Sequence, residues 1–525
     1  MKMHGRTKML WHFALPSLLV AACVVQPAPA VAQMTSVGID CSQIQSLGLM
    51  KQENMRAGKA LIECGILEGG HPVLGAEHMA PAPPNVLASN RSCTGPTACT
   101  KSESSAWAST KNNGKTVVVN YNDHNSNPVD QYSGTSYSID GGKTFKEILP
   151  PPFRSDHGEN YGDPIVVFNS KLNLWFGGDL VAACGGQGVG LWTSKNGKTW
   201  TAGACAHNGG GDDRESFWVD NEPSSGTYGR MYISWNDFDN NGGALSLVYS
   251  DDGKTWSSPV VLNPGFIRDV QVTGTPRGTA RYEGNNSTVF VAAMDEGSGG
   301  CDTRQNVMYK SLDGGKTWTS TTLGARFASI CQSTCGYFAV VNPIWRHMGW
   351  GEPGVGPNGV VHYVYAGAGA SNNDPGDIYY VRSTDNGETW STPVKLNTDN
   401  DNTYTTQWMP SLSVNKKGDV TASWYDRRKA TSACSNITDK GCNYERVGRQ
   451  SSDNGNSFLS EITISSKVIK EPAQEDGGVV SCYAGDYDYS TALNGNAYIT
   501  WTDGRVAVGG VHVQNVEFAK VPEPK

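Results

Sequence analysis

Ser311-Leu312-Asp313-Gly314-Gly315-Lys316-Thr317-Trp318 and Ser383-Thr384-Asp385-Asn386-Gly387-Glu388-Thr389-Trp390 are two copies of one pattern, S-x-D-x-G-x-T-W. Good copies also end at Phe145 (with Ser138, Asp140, Gly142 and Thr144) and at Phe458 (with Ser451, Asp453, Gly455 and Ser457). The copy ending at Trp256 reads with Tyr249 in the serine place and keeps Asp251, Gly253 and Thr255. The copy ending at Trp200 reads with Lys195 in the aspartate place. A short carboxylate or hydroxyl in this pattern folds back on nearby backbone N–H groups and fixes a turn. Glycine supplies a positive φ, and the terminal aromatic is expected to drop into the apolar layer beneath.

The terminal aromatics lie 55, 56, 62, 72 and 68 residues apart, a spacing that suits one propeller blade per copy. Upstream of each copy an alternating strand ends in an acid. Examples are Val117–Asp123, Met231–Asp237 and Val420–Asp426, with Asp179 and Asp295 in similar places. Ala497–Asp503 repeats the strand after the sixth copy, which makes a seventh module with no motif of its own. Pro84–Ser89 resembles the strands that follow the motif at Pro259–Asn263 and Pro393–Asn397. An N-terminal strand closing the last blade would remove the free edge between first and last. The reading is therefore all-β, a propeller of four-stranded blades, with seven blades favoured over six.

The S-x-D-x-G-x-T-W copies resemble the Asp boxes (BNR repeats) of the sialidase superfamily, closest to its exported bacterial members. In that superfamily the box joins the third and fourth strands of a blade, away from the ligand face, so its aspartates receive no catalytic role. The resemblance implies a glycoside hydrolase acting on sialic acid or another glycan at the channel mouth. A non-catalytic glycan- or protein-binding propeller is the alternative. Sialidases carry an R-I-P arginine before the first box, which this chain lacks. Arg154 follows the first box and is succeeded by Ser155-Asp156. Tyr282-Glu283 is assigned to a loop on the opposite face. No position matches the family's catalytic residues one by one.

Candidate site residues come from the segments leading into the innermost strands, which share one face of a propeller. Asp156, Asp163, Asp213, Glu215 and Asp486 are the candidate catalytic carboxyls. Arg154, Arg214, Arg268, Arg346, Tyr487 and Trp350 are the candidate substrate-binding groups. Carboxylates hold sugar hydroxyls or act as acid and base, arginines grip acidic groups, and aromatics stack on sugar rings. The recurring acids Asp123, Asp179, Asp237, Asp295, Asp426 and Asp503 are read as structural, because catalysis needs asymmetric roles. Asp237–Gly242 has some calcium-loop character without the glutamate that completes such a loop; no other cofactor is indicated.

Lys2, Arg6 and Lys8, an apolar run near Leu10–Val25 and small residues before Gln33 read as an export signal over residues 1–32. Val20-Ala21-Ala22-Cys23 offers a rival reading, lipid anchoring at Cys23. The protein is thus expected to be secreted or periplasmic. Without Cys23, twelve of the 13 cysteines remain, an even number suited to disulfides. Several are close in sequence: Cys93 with Cys99, Cys184 with Cys205, Cys331 with Cys335, and Cys434 with Cys442. Residues 33–83 read as a small cap of one or two short helices, stapled by Cys41–Cys64, plus a Pro-rich connector. Residues 84–525 form the propeller. The 62 glycines, 15 tryptophans and 21 tyrosines fit many short strands with aromatics between sheets. Net charge of −8 without a basic run argues against a nucleic-acid partner. No later segment is long and apolar enough to span a membrane as a helix.

Overall fold

The computed structural model describes residues 34–524 apart from 68, 70–83, 90–92, 94, 125–131, 149–156, 241, 276–285, 343–344, 347–348, 370–373, 400–404, 429–441, 473 and 475. Arg154, Asp156, Cys23, Cys434 and the Tyr282-Glu283 pair fall outside the described residues.

The chain is all-β apart from its N-terminal cap and short helical turns. Seven sheets each contain four antiparallel strands, and the first has a fifth, Asp488–Tyr489, paired parallel to its innermost strand. Sheet 1 begins with Thr100–Ala108, sheet 2 with Asn160–Asn169 and sheet 3 with Asp212–Val219. Sheet 4 begins with Arg268–Gly274, sheet 5 with Glu352–Val355 and sheet 6 with Gln407–Val414. Sheet 7 consists of Thr491–Ala492, Asn496–Val508, Val511–Pro522 and, as its outer strand, Val86–Leu87. Val86 pairs with Phe518 and Leu87 with Glu517, so the start of the described propeller is sewn to its end as the sequence suggested. The first strands touch in succession from sheet 1 to sheet 7, and sheet 7 touches sheet 1 again. A three-stranded sheet (Ser333–Cys335, Phe338–Asn342, Trp345–Arg346) intervenes between sheets 4 and 5.

The repeated motif forms the turn between third and fourth strands. Asp313 Oδ1 accepts from the N–H groups of Lys316 (3.0 Å) and Thr317 (2.9 Å), and its Oδ2 from the Thr317 hydroxyl (2.7 Å). Asp140, Asp385 and Asp453 repeat the arrangement. Two alignments need correction. Near Trp256 the working residues are Ser250 and Asp252, and near Trp200 they are Ser194 and Asn196. In both the loop is one residue shorter before the glycine, because the acceptor must lie two residues after the serine to reach the following N–H groups. Asp251 instead pairs with Arg230 at 2.7 Å.

The motif tryptophans are also less deeply set than expected: Trp200, Trp256, Trp318 and Trp390 are half-buried. The fully buried rings come mostly from the inner three strands: Trp175, Trp192, Trp235, Trp408, Trp424 and Trp501. The fourth strand edges each sheet, so an aromatic leading into it caps the core rather than filling it. Three of the recurring acids at the ends of second strands fix turns, whereas Asp179 accepts from the Ser133 hydroxyl of the neighbouring sheet. Asp426 accepts from Arg428 N–H and Asp503 from Arg505 N–H, each at 2.8 Å, and Asp237 accepts from Asn240 N–H at 3.0 Å.

Among its described residues the cap contains one α-helix, Met55–Glu63, whose N-cap Asn54 accepts from Ala57 N–H, and two single 3-10 turns, Cys41–Gln43 and Leu49–Lys51. Cys41–Cys64 staples it. Disulfides also join Cys93 to Cys99 and Cys184 to Cys205. Cys331 bonds Cys301, and Cys335 bonds Cys482, rather than each other. Cys335 lies in the extended segment Ser333–Cys335, and extension carries residues four apart beyond disulfide reach. Every cysteine among the described residues is disulfide-bonded, as suits an oxidising compartment outside the cytosol. Among the described residues no helix is long and apolar enough to cross a membrane.

Candidate functional site

Five first strands carry a β-bulge near their start, where the ladder slips between Ser102/Ser104, Gly162/Ile165, Asp213/Ser216, Arg268/Gln271 and Trp408/Ser411. At each bulge sits a non-glycine residue with positive φ: Glu103 (50°), Asp163 (61°), Arg214 (56°), Asp269 (59°) and Met409 (46°). Ahead of sheet 7, in the segment whose Asp488–Tyr489 pairs with the first strand of sheet 1, Gly485 (97°) precedes Asp486, and glycine adopts this conformation without the strain the others carry. A bulge bends the strand and re-aims its side chains. Left-handed backbone at non-glycine residues costs free energy and persists where the surrounding structure enforces it. The bulges therefore converge, at one end of the first strands, residues distant in sequence.

These groups form one buried cluster. Arg214 stacks over Tyr487 (4.4 Å), and Trp350 lies 5.2 Å from Arg214 and 5.4 Å from Arg268. Arg268 pairs with Asp213 at 2.9 Å, Arg214 with Asp269 at 3.2 Å, and Arg346 with Asp486 at 2.7 Å. Asp163 accepts from Arg214 N–H at 3.0 Å. All the candidate residues that are described (Asp163, Asp213, Glu215, Asp486, Arg214, Arg268, Arg346, Tyr487 and Trp350) are thus brought together, and all are buried.

The N-terminal cap covers them. Glu53, 1% exposed, lies between Arg268, with which it is in direct ion-pair contact, and Arg214 at 3.5 Å. Asp213 accepts from the N–H groups of Glu53 (2.8 Å) and Asn54 (3.1 Å) and from the Asn54 amide (2.8 Å). Arg346 donates to the Glu53 carbonyl at 2.6 Å. Glu53, Asn54, Glu103 and Tyr489 were missed as site members. Only the Asn54 helix-capping position was legible for the cap, and nothing local tells that the cap docks on the mouth.

Seven carboxyls (Glu53, Glu103, Asp163, Asp213, Glu215, Asp269, Asp486) share three guanidinium groups (Arg214, Arg268, Arg346), so charge balance inside the cluster requires several to keep their protons. Burial, assisted by Asp486 and Asp213, pushes Glu53 up to about 8 despite the opposing pull of Arg268 and Arg214. Burial and the neighbouring Asp213 push Asp163 up to about 7. Burial raises Glu215 and Glu103 well above the usual carboxylate range, with Asp163 adding to both. Both Glu215 oxygens and the Tyr487 hydroxyl are buried without a hydrogen-bond partner.

Among the described residues, two places gather metal-type ligands. Asp374, Asp377 and Asp399 lie close together, and Lys395 Nζ sits 2.8 Å from Asp377 as their cation. His157 stands near the Cys184–Cys205 disulfide, whose sulfurs are committed to each other. In the Asp237–Gly242 segment, Asp237 and Asp239 hydrogen-bond backbone N–H groups of Asn240 and Gly210.

No family model and no curated protein sequence matches the chain. Among solved structures it is similar to an α-L-arabinofuranosidase of Fusarium graminearum in complex with arabinobiose, at 14% identity and a TM-score of 0.39, covering 83% of this chain and 97% of that one. The endosialidase of phage phi92 gives 10% identity, a TM-score of 0.42 and coverage of 84% and 69%. An Aleuria aurantia lectin in complex with α-methyl-L-fucoside gives 12% identity, a TM-score of 0.35 and coverage of 80% and 95%.

Proposed function

We propose that this chain is an exported, carbohydrate-acting propeller of seven blades, closed by Val86–Leu87, and that it hydrolyses a glycosidic bond at the mouth formed by the bulged strand starts. Six four-stranded sheets, a seventh with four antiparallel strands and one added parallel strand, and the pairing of residues 86–87 with 517–518 support the blade count. One observation carries the hydrolase reading: a single cluster holds carboxyls in opposed environments. Asp163 and Glu215 are pushed towards the protonated form by burial, while Asp213 and Asp486 are each ion-paired to a guanidinium group. A neutral acid beside an anion is what protonating a leaving group and stabilising or attacking the sugar centre require. Arg214, Arg268, Trp350 and Tyr487 would position sialic acid or another glycan. The reading requires Glu53 and Asn54 to leave the mouth, because they occupy the groups that would hold the sugar: Glu53 pairs with Arg268, and Asp213 accepts from the N–H groups of both.

Non-catalytic glycan binding is the second reading, and a specific observation favours it. Several of these carboxyls stitch neighbouring strands: Glu103 accepts from Asp486 N–H, Asp163 from Arg214 N–H and Asp269 from Gly351 N–H. The test is turnover of chromogenic glycosides, a sialoside included, by wild type and Asp213→Asn between pH 4 and 8. Hydrolysis that falls at least tenfold in the variant supports the first reading. Glycan binding without hydrolysis supports the second, and neither activity refutes both.

A further inference from the structure

The centre of the molecule contains a cavity of about 580 Å³ to which the mouth cluster contributes Tyr489 but none of its arginines or carboxyls. It begins one layer below the bulges, at Ser105, Ser216, Gln271, Glu352 and Tyr489, and runs along the first strands to the opposite face, where Asn113, Lys417 and Asn494 rim it. Its inner end is closed by the layer containing Arg214, which stacks on Tyr487 and stands 5.8 Å from the Tyr489 ring, and above that by the cap. The channel is therefore blind, and a blind cavity of this size falls within the usual range of small-molecule sites.

Its lining limits the ligand. At the closed end the Ser216 hydroxyl donates to Gln271 at 3.3 Å, and the Gln271 amide donates to the Tyr489 hydroxyl. Glu352 accepts from Leu412 N–H at 2.5 Å, and burial, with Asp269 adding and Leu412 N–H, Ser411 and Arg446 opposing, pushes its carboxyl up to about 8, which favours its neutral, hydrogen-bonding form near pH 7. Among the described residues no arginine lines the cavity, and its lysines, Lys416 and Lys417, stand near the outer end. The guanidinium groups nearest the closed end, Arg214 and Arg446, do not line the cavity and are paired with Asp269 and Asp488, so an anionic ligand would find no free counter-charge there, and an apolar one would leave these polar groups unpaired. A ring bearing several hydroxyls satisfies both donors and acceptors, while Trp107, Trp218 and Val272 supply apolar wall.

We propose that this blind channel is a second ligand site, entered from the face opposite the cap, that receives a neutral sugar ring end-on against Glu352, Tyr489 and Gln271. It is separated from the mouth by the layer containing Arg214, and its ligand need not be the mouth's substrate.

The experiment titrates the full chain with methyl glycosides of neutral hexoses and pentoses, and with a methyl glucuronide, following tryptophan fluorescence and saturation-transfer NMR. A neutral glycoside should bind and the glucuronide should bind at least tenfold more weakly. Thr273→Trp, which places a bulky ring on a half-exposed channel-lining position, should weaken binding at least tenfold. Glu352→Gln keeps an acceptor for Leu412 N–H and does not ionise. Wild-type affinity should fall as pH rises past about 8, while that of Glu352→Gln stays level, a readout that stands even if Thr273→Trp fails to fold. Absence of neutral-sugar binding, tighter binding of the glucuronide, unaltered binding by folded Thr273→Trp, or an identical pH profile in Glu352→Gln would each overturn the proposal.

Discussion

Replacing Asp163 by Asn should make the protein more stable near neutral pH while leaving its stability in mild acid nearly unchanged. Asp163 sits at a bulge, fully buried, with Asp213 nearby and its own carboxyl pushed from 3.8 to about 7. The folded chain thus holds a proton that the unfolded chain releases near pH 4. Stability from this group is fully present below about pH 4 and is lost as pH rises towards about 7. A single such proton makes stability fall by about 1.4 kcal/mol per pH unit across that window. Because the proton is shared among coupled neighbours, about 2 kcal/mol is the realistic loss by pH 7.5. The amide introduced by Asp163→Asn would not ionise, and its carbonyl would still accept from Arg214 N–H. Urea unfolding at pH 4.5 and 7.5, with equal slopes in variant and wild type, measures the difference. Equal stability at pH 4.5 and a gain of roughly 2 kcal/mol at pH 7.5 are expected. A loss of stability at both pH values, or a gap that does not change with pH, would refute the protonated-cluster argument. If the mouth is catalytic, the same variant should lose hydrolytic activity, the usual exchange between stability and a strained site.

The turn motifs should show the reverse pH dependence. Asp140, Asp385 and Asp453 are held at about 2 by the N–H and hydroxyl groups they accept from, so the stability they give is present above about pH 4 and is lost as pH falls through about 2; thermal melts between pH 2 and 9 should therefore peak in mild acid, a plateau extending to pH 9 would contradict the raised carboxyls of the mouth, and unchanged stability between pH 4 and 2 would contradict the turn aspartates. Trp235→Ala should cost about 3–5 kcal/mol, as for a fully buried ring, and Trp318→Ala less, about 1–2 kcal/mol, because Trp318 is half-buried; equal costs in denaturant melts would count against this ordering. Thiol titration of the denatured, unreduced protein should find no more than two free cysteines, because every described one is bonded. Arg214→Ala should lower stability as well as any glycan activity, since it strands Asp269 in the interior; an unchanged melting temperature would mean the cluster is more open than its burial indicates.

The fold was legible because its determinants are local and repeated. Each motif copy carries its own acceptor, glycine and aromatic at short spacing, and even the two shortened copies at Ser194 and Ser250 announce a turn. Closure by residues 86–87 was readable because a post-motif strand appeared before any motif. The disulfides were legible only where sequence neighbours pair. Cys301–Cys331 and Cys335–Cys482 depend on where an extended segment travels, and no local pattern encodes that. The candidate site was half legible. The charged stretches ahead of the first strands do converge, but the bulges place their residues inside the strands rather than in loops. A bulge is a one-residue change of phase, and the alternation around Asp213-Arg214-Glu215 does not mark it.

Glu53 is the residue that most changes the meaning of the mouth. Read from the propeller alone, Arg214 and Arg268 would be two cations facing outward beside Asp213, a ready grip for an acidic group. With the cap docked, Glu53 occupies that grip, and the backbone of Glu53 and Asn54 satisfies Asp213. The cap is not held by charge alone: Met55, Ile62 and Leu67 pack against Val340, Val479, Val480 and Tyr483. Breaking the ion pairs while keeping the apolar contact therefore separates two roles for the cap. Glu53→Ala should leave Arg268 with Asp213 and Arg214 with Asp269, so each buried cation keeps one partner and the loss should fall below the roughly 3–5 kcal/mol of a fully orphaned charge. If the cap is a structural lid, hydrogen exchange at Met55–Glu63 should stay slow in Glu53→Ala and any glycan activity should be unaltered. If it stands in for a ligand, the same substitution should speed exchange in that helix and raise activity at the mouth.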